Sequence, residues 1–319
     1  MFINHNLHIF LGATVADAAA RPLHWVYDPV KLKKYIKNKK DITFISKNKS
    51  PFYDIRTGNV SGYNDIGQVM FKTLLETHKN SKILSNFKKN IVKNFGPGSK
   101  YWKNLKLRKK YKKIKWKKPM KGPWIHQNIL ETIKNIKLKK KITGGRKVNE
   151  SDGFCASLPY YLSDNKITNV KKIIKTVANG RLSEQFALAK LEIIQNALNG
   201  VKDPVKFFLI KHSKNKYFKD VTSNLKKVAK DINQPHIAIV KKYGKACSYP
   251  GTFNGSIHAI LTSNNYKTAI TKLIKAGGCN CSRANFVGAY FAALKGIKGI
   301  PKTWIKKTNP AKNILKYIA

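Results

Sequence analysis

Apolar residues recur at three- and four-residue intervals along almost the whole chain, and no stretch alternates convincingly at the two-residue period of a half-buried strand. Helices are therefore the units that must bury one another. The clearest helical segments are 7–20, 64–79, 82–95, 127–140, 168–178, 182–199, 203–213, 219–231, 253–262, 265–276 and 281–295. In 182–199 Phe186, Leu188, Leu191, Ile194 and Leu198 cover one broad face, and in 281–295 Ala284, Val287, Gly288 and Ala292 permit close helix approach. With 319 residues, 42% of them apolar, the chain is long enough for one large core. The expected architecture is all-α, a compact single domain of many short helices spanning 1–319, without internal repeats.

Lys plus Arg number 64 against 15 Asp plus Glu, a net charge of +49, yet only six of those bases are Arg. A chain selected to grip phosphate would use more of the planar, bidentate guanidinium, so residue usage drifted toward Lys is the plainer reading. One stretch concentrates the charge. Lys100–Gly122, expected as a loop between the turn signals "FGPGS" and "KGPW", holds 12 basic residues and no acid, interleaved with Tyr101, Trp102, Tyr111 and Trp116. It is either a solvated surface or a polyanion-binding patch in which aromatics stack and lysines follow phosphates. Four cysteines make no disulfide framework and point to a reducing, intracellular setting, cytoplasmic or nuclear. The apolar segment Leu7–Ala20 has no preceding Lys or Arg and contains Asp17, so it reads as a buried helix; no window is apolar enough to span a bilayer.

Three stretches put polar residues where helix ends belong. In "GATVADAAARPLHWVYD" (Gly12–Asp28) an isolated Asp17 sits in an apolar helix and needs a cation, a metal or N–H donors. In "SGYNDIGQ" (Ser61–Gln68) Asp65 is either a first-turn acid favoured by the helix dipole or a functional carboxylate. In "GGCNCSR" (Gly277–Arg283) a glycine turn opens a helix of small residues, an anion-friendly nest whose Cys279 and Cys281 leave a soft-metal or redox site as the weaker alternative. Arg283 could bind a phosphate, but a pair with Asp17 or Asp65 is favoured. His24 and Trp25 are expected to pack the "RPLHW" turn, and His258 to be a core histidine.

These stretches, in this order and with the run Tyr249–Ile305, resemble the ADP-ribosylglycohydrolase superfamily, particularly its branch typified by J1 crystallins and selenoprotein J. The resemblance implies an all-α fold whose cleft holds two magnesium ions for cleaving the glycosidic bond of ADP-ribose to a protein side chain or small acceptor. The family's early Thr-Asp-Asp-Thr-like motif falls near Asn64-Asp65-Ile66-Gly67 and keeps one carboxylate. Its late Asp-x-Asp-Thr/Ser motif falls on Cys279-Asn280-Cys281-Ser282 and keeps none. What it then implies is Asp65 as the catalytic carboxylate, Asp17, Asp65, Asn280 and Ser282 as oxygen ligands for a single weak magnesium ion, and Gly278, Asn280 and Arg283 as the binding group for ADP-ribose or an ADP-ribosylated substrate. "NESDGFCASLPYY" (Asn149–Tyr161) resembles the family's middle motif, which makes Glu150 and Asp152 secondary candidates. Hydrolysis is expected to be weak or lost, because magnesium prefers hard oxygen to thiolate sulfur; a non-catalytic, crystallin-like binding or structural protein is the alternative.

Overall fold

The first helix, α1 (Leu7–Ala20), is buried on every face except at His8, which places it at the centre of the fold. Around it the computed structural model, which describes residues 6–110, 119–146, 149–164 and 166–318 with the side chains of 106–110 left aside, is built almost wholly of helices. They run α2 (Pro29–Ile36), α3 (Gly62–Glu76), α4 (Ile83–Phe95), α5 (Lys100–Lys110), α6 (Gln127–Lys137), α7 (Asp152–Ser163), α8 (Ile167–Val177) and α9 (Arg181–Leu198). The second half continues with α10 (Pro204–Lys211), α11 (Lys219–Lys230), α12 (His236–Tyr243), α13 (Gly251–Leu261), α14 (Tyr266–Ala276), α15 (Asn280–Lys295), α16 (Lys302–Lys307) and α17 (Ala311–Leu315). A two-residue parallel ladder pairs Tyr53–Asp54 with Met120–Lys121. All eleven expected helices are present within three residues of the expected ends. The buried apolar side chains form one continuous cluster.

The most intimate packing is α1 against α15. A Cβ on Gly12 would lie 2.5 Å from the Ala292 Cβ and 2.6 Å from the Gly288 carbonyl, and one on Gly288 would lie 2.5 Å from both the Ala16 Cβ and the Gly12 carbonyl. The two backbones approach this closely because nothing larger than a methyl group stands at the crossing. Gly288→Ala is therefore expected to lower stability by roughly 1–3 kcal/mol, through overpacking against backbone that cannot move aside. An unchanged denaturation midpoint would mean that the crossing is looser than its geometry. The outer helices bury single stripes instead, as α11 does with Val221, Leu225 and Val228.

The basic stretch expected as a loop begins as a helix. Lys100–Lys110 form α5, anchored by Tyr101 and Leu105, which are buried, and Tyr101 packs on Phe95 of α4 at 4.7 Å between ring centres. Residues 111–118, with Tyr111 and Trp116, lie outside the described residues.

Candidate functional site

Asp17 is wholly buried near the end of α1, and both its oxygens are in use. They accept from the Ser61 backbone N–H at 2.6 Å, the Ser61 hydroxyl at 2.6 Å and the Asn285 side-chain amide at 2.7 Å. Ser61 is the N-cap of α3 and Asn285 lies in α15, so one carboxylate ties three helices together. The network continues: Asn64 donates to the Asn285 side-chain oxygen Oδ1 at 2.7 Å, and Gln68 donates to Asn64 and to Thr14. Burial pushes the Asp17 pKa up, and the Ser61 hydrogen bonds oppose that push. The donors Asp17 needs are thus supplied by protein.

Asp65, in the first turn of α3, accepts a short hydrogen bond from the Tyr101 hydroxyl. It lines a cavity of about 480 Å³ with Asp54, Asn59, Lys100 and Tyr101. Burial raises its pKa to about 7, against the Tyr101 hydrogen bond.

The Gly277–Ser282 turn is held by backbone bonds. Gly278 N–H donates to the Val26 carbonyl at 2.8 Å, Cys279 N–H to the Lys245 carbonyl at 2.9 Å and Asn280 N–H to the Gly278 carbonyl at 2.8 Å. The Ser282 hydroxyl donates to the Cys279 carbonyl at 2.9 Å, and the Asn280 amide to the Ala20 carbonyl at 3.2 Å, leaving the buried Asn280 Oδ1 without a partner. Cys281 points its sulfur at the Asp17 backbone carbonyl, 3.7 Å away. Arg283 corrects one expectation: it pairs with neither Asp17 nor Asp65. Its guanidinium, wholly buried, donates to the Gly277 carbonyl, and Nε and Nη1 have no partner. His258 is buried as expected, its Nδ1 3.1 Å from Nδ1 of His236.

A second group gathers around Trp25. This residue is held at φ 65°, a conformation a bulky side chain adopts at a cost of about 1–3 kcal/mol when surrounding structure imposes it. Its ring meets Phe52, Trp124 and His126 at 5.5, 6.0 and 6.1 Å between centres, and its indole N–H donates to the Cys247 sulfur at 3.1 Å. Phe52, Trp124, Glu150 and Cys247 are half-buried, and Tyr63, His126, Asp152 and Cys279 lie beneath them.

Here His126 Nδ1 is 2.7 Å from an Asp152 oxygen whose partner oxygen accepts from Asn128 at 3.0 Å, and Tyr63 donates to Glu150 at 3.1 Å. Burial works against protonating His126, but the Asp152 carboxylate outweighs it and raises the pKa. Burial, then the Asp152 charge, lifts Glu150 to about 7. One atom each of His126, Glu150 and Asp152 lie within 4.8 Å of one another, a spacing at which a cation could be shared. His24 connects Tyr53 at 2.9 Å with the Cys279 sulfur at 3.5 Å. Burial opposes a Cys279 thiolate, yet hydrogen bonds from Cys247 and His24 hold its pKa well below the usual thiol range, and the same sulfur–sulfur contact pushes Cys247 up.

Residues 5–319 match the family model for ADP-ribosylglycohydrolase. The chain belongs to that family. Crystallin J1A of Tripedalia cystophora is 28% identical over 313 residues, covering 96% of this chain and 92% of that protein. Crystallin J1B of the same organism is 26% identical over 312 residues, with the same coverage. Among solved structures, an ADP-ribosylglycohydrolase-related protein complex superposes with a TM-score of 0.63 at 12% identity, over 99% of this chain and 95% of that one, a likeness of fold. The family, its crystallin J1 relatives and the all-α fold stand as the resemblance implied. Among the described residues no helix is long and apolar enough to cross a membrane.

Sequence reasoning singled out neither His126 nor Cys247. His126 carried one usable signal, its place immediately before a helix and after the "KGPW" turn, where a side chain faces an N-terminus. Cys247 carried none, because what brings it to Cys279 is the backbone bond between Lys245 and Cys279.

Proposed function

We propose that this chain is a crystallin J1-like member of the ADP-ribosylglycohydrolase family in which magnesium-assisted cleavage of an ADP-ribose glycosidic bond is weak or lost. The supporting observation is how the inherited positions are occupied. Magnesium wants near-octahedral oxygen ligands at about 2.0–2.1 Å. Asp17 spends its oxygens on three short hydrogen bonds, Ser282 turns its hydroxyl back onto its own helix, and the buried sulfurs of Cys279 and Cys281 stand at the other inherited positions. The residues present do not fit a two-ion centre. At the inherited positions only Asp65 and the free Asn280 oxygen remain as donors for a weakly held ion, while His126, Glu150 and Asp152 are a separate group spaced to share a cation.

The ligand reading rests on other features. Phe52 and Trp124, half-buried and packed edge-to-face with Trp25, make an aromatic surface of the kind a planar base packs against, and Glu150 with the His126–Asp152 pair supplies polar groups beneath them. An ADP-ribose-like ligand is therefore assigned to this group of residues. Isothermal titration of ADP-ribose with and without magnesium tests it. Binding that is unchanged by magnesium and lost on Trp124→Ala is expected; binding that requires magnesium and survives Trp124→Ala would place the ligand at the inherited ion site instead.

For the basic stretch, a polyanion role has its own measure. If Lys100–Gly122 holds duplex DNA or heparin, replacing Lys109, Lys110, Lys112 and Lys113 by Gln lowers the slope of log affinity against log salt by roughly 3 to 4, more than four lysines changed elsewhere. Equal effects from any four support compositional drift.

A further inference from the structure

Two of the four cysteines, 32 positions apart in sequence, are both held within the Trp25 group. The Cys279 N–H bonds the Lys245 carbonyl at 2.9 Å, which lays the 245–247 segment along the start of α15 and sets Cys247 and Cys279 on the adjacent Trp25 and His24 rings, 4.3 Å apart between centres. Each sulfur is placed by further partners: Cys247 by the Trp25 indole at 3.1 Å and the Tyr27 hydroxyl at 3.9 Å, Cys279 by His24 Nε2 at 3.5 Å and the Tyr63 hydroxyl at 3.7 Å. Their exposure is unequal. Cys279 is fully buried, while Cys247 is half-buried beside Tyr27, itself 37% exposed, so a small molecule reaches Cys247 first. Arg283, one turn into the same helix, is buried with two guanidinium nitrogens unpartnered and has both sulfurs within its field. The other two thiols are set apart from this arrangement: Cys281 faces the Asp17 carbonyl, and Cys155 is buried in α7.

We propose that Cys247 and Cys279 form a redox-active dithiol that a hydroperoxide closes to a disulfide. The sequence alone suggested Cys279 with Cys281; the fold pairs Cys279 with Cys247. In the first step the Cys247 sulfur attacks the peroxide: an S–O bond forms, the O–O bond breaks, and the leaving oxygen takes the thiol proton to depart as water or an alcohol. In the second the Cys279 thiolate attacks the sulfenic sulfur: the S–S bond forms, the S–O bond breaks, and the hydroxide that leaves takes a proton from solvent as water. The dithiol loses two electrons and the O–O bond gains them. Because the pair lies against Trp25 and Tyr63, the cross-link is formed within the Trp25 group.

The test treats the full chain, folded and reduced, with hydrogen peroxide, alkylates the remaining thiols and maps the peptides by mass spectrometry. A Cys247–Cys279 linkage reversed by dithiothreitol is expected, with alkylatable thiol lost at these two positions at least about tenfold faster than at Cys155 and Cys281. Cys279→Ser should leave Cys247 as a sulfenic acid captured by dimedone. Linkage through Cys155 or Cys281, or four thiols oxidised at equal rates, would overturn the pairing, and an unlabelled Cys247 in Cys279→Ser would overturn its role as the attacking sulfur.

Discussion

Asp17→Ala is expected to remove on the order of 5 kcal/mol of stability, a large share of what a domain possesses. The substitution leaves the Ser61 N–H, the Ser61 hydroxyl and the Asn285 amide buried without an acceptor. Each such group costs about 1–3 kcal/mol, and relief of the buried carboxylate's own desolvation offsets only part of the sum. Asp17→Asn should be milder, since its carbonyl oxygen still accepts from Ser61 while its amide meets that of Asn285. Urea denaturation separates this structural role from that of a metal ligand. The hydrogen-bonding role predicts the same loss with and without magnesium, whereas a ligand role predicts that magnesium stabilises the unmodified chain and not the variant.

Lys190→Met is expected to change the pH dependence of stability more than any other single substitution. The Lys190 ammonium is fully buried in a cage of Phe154, Tyr249 and Phe286, 4.7–5.5 Å from the ring centres, and donates to the Ser151 and Tyr249 hydroxyls at 3.1 and 3.0 Å with no carboxylate partner. Burial lowers its pKa to about 7. Between pH 7 and the unfolded-state value near 10.4 the unfolded chain binds the extra proton, so stability rises with pH across that window, by roughly 4–5 kcal/mol if the whole shift is expressed. In Lys190→Met that rise is absent, and the Ser151 and Tyr249 hydroxyls, 3.2 Å apart, pair with one another. At neutral pH the variant should be about as stable as the parent, because the lost cation–π contacts, about 0.5–2 kcal/mol each, compensate for the desolvation removed. Parallel midpoint-against-pH curves for the two proteins would show that the buried charge is not what titrates.

The sign is opposite for carboxylates with raised values, and the window differs. Asp65 and Glu150, both raised to about 7, make the folded chain the better proton binder between about pH 4 and 7, so their contribution falls as pH rises through that range. Asp65→Asn should remove its share of that fall.

The helices of the core were legible because their apolar stripes are long and uninterrupted. Helix α7 was not, since Gly153 and Pro159 read as breakers. In the fold Pro159 leaves the Cys155 carbonyl unbonded within its helix, and that oxygen faces the bare Cα of Gly67, where a Cβ would lie at 2.9 Å; the breaker residue is accommodated by a glycine 92 positions away. The need of Asp17 for partners was evident from its burial, but their identity was not, because Ser61 and Asn285 reach it only through the crossing of α1, α3 and α15. The Trp25 group was hidden for the same reason. Its members come from seven separate segments, and only the strained backbone at Trp25 marks the place where they converge.

The most direct measurement is release of ADP-ribose from an ADP-ribosylated substrate by the unmodified chain, with magnesium varied and with Asp65→Asn and Cys279→Asp/Cys281→Asp alongside. The occupation of the inherited donor positions predicts no magnesium-dependent release above background for the unmodified chain. The double aspartate variant should bind magnesium more tightly and gain turnover that Asp65→Asn abolishes on the same background. Robust magnesium-dependent turnover by the unmodified chain, lost in Asp65→Asn, would contradict the account and return the chain to the family's working hydrolases.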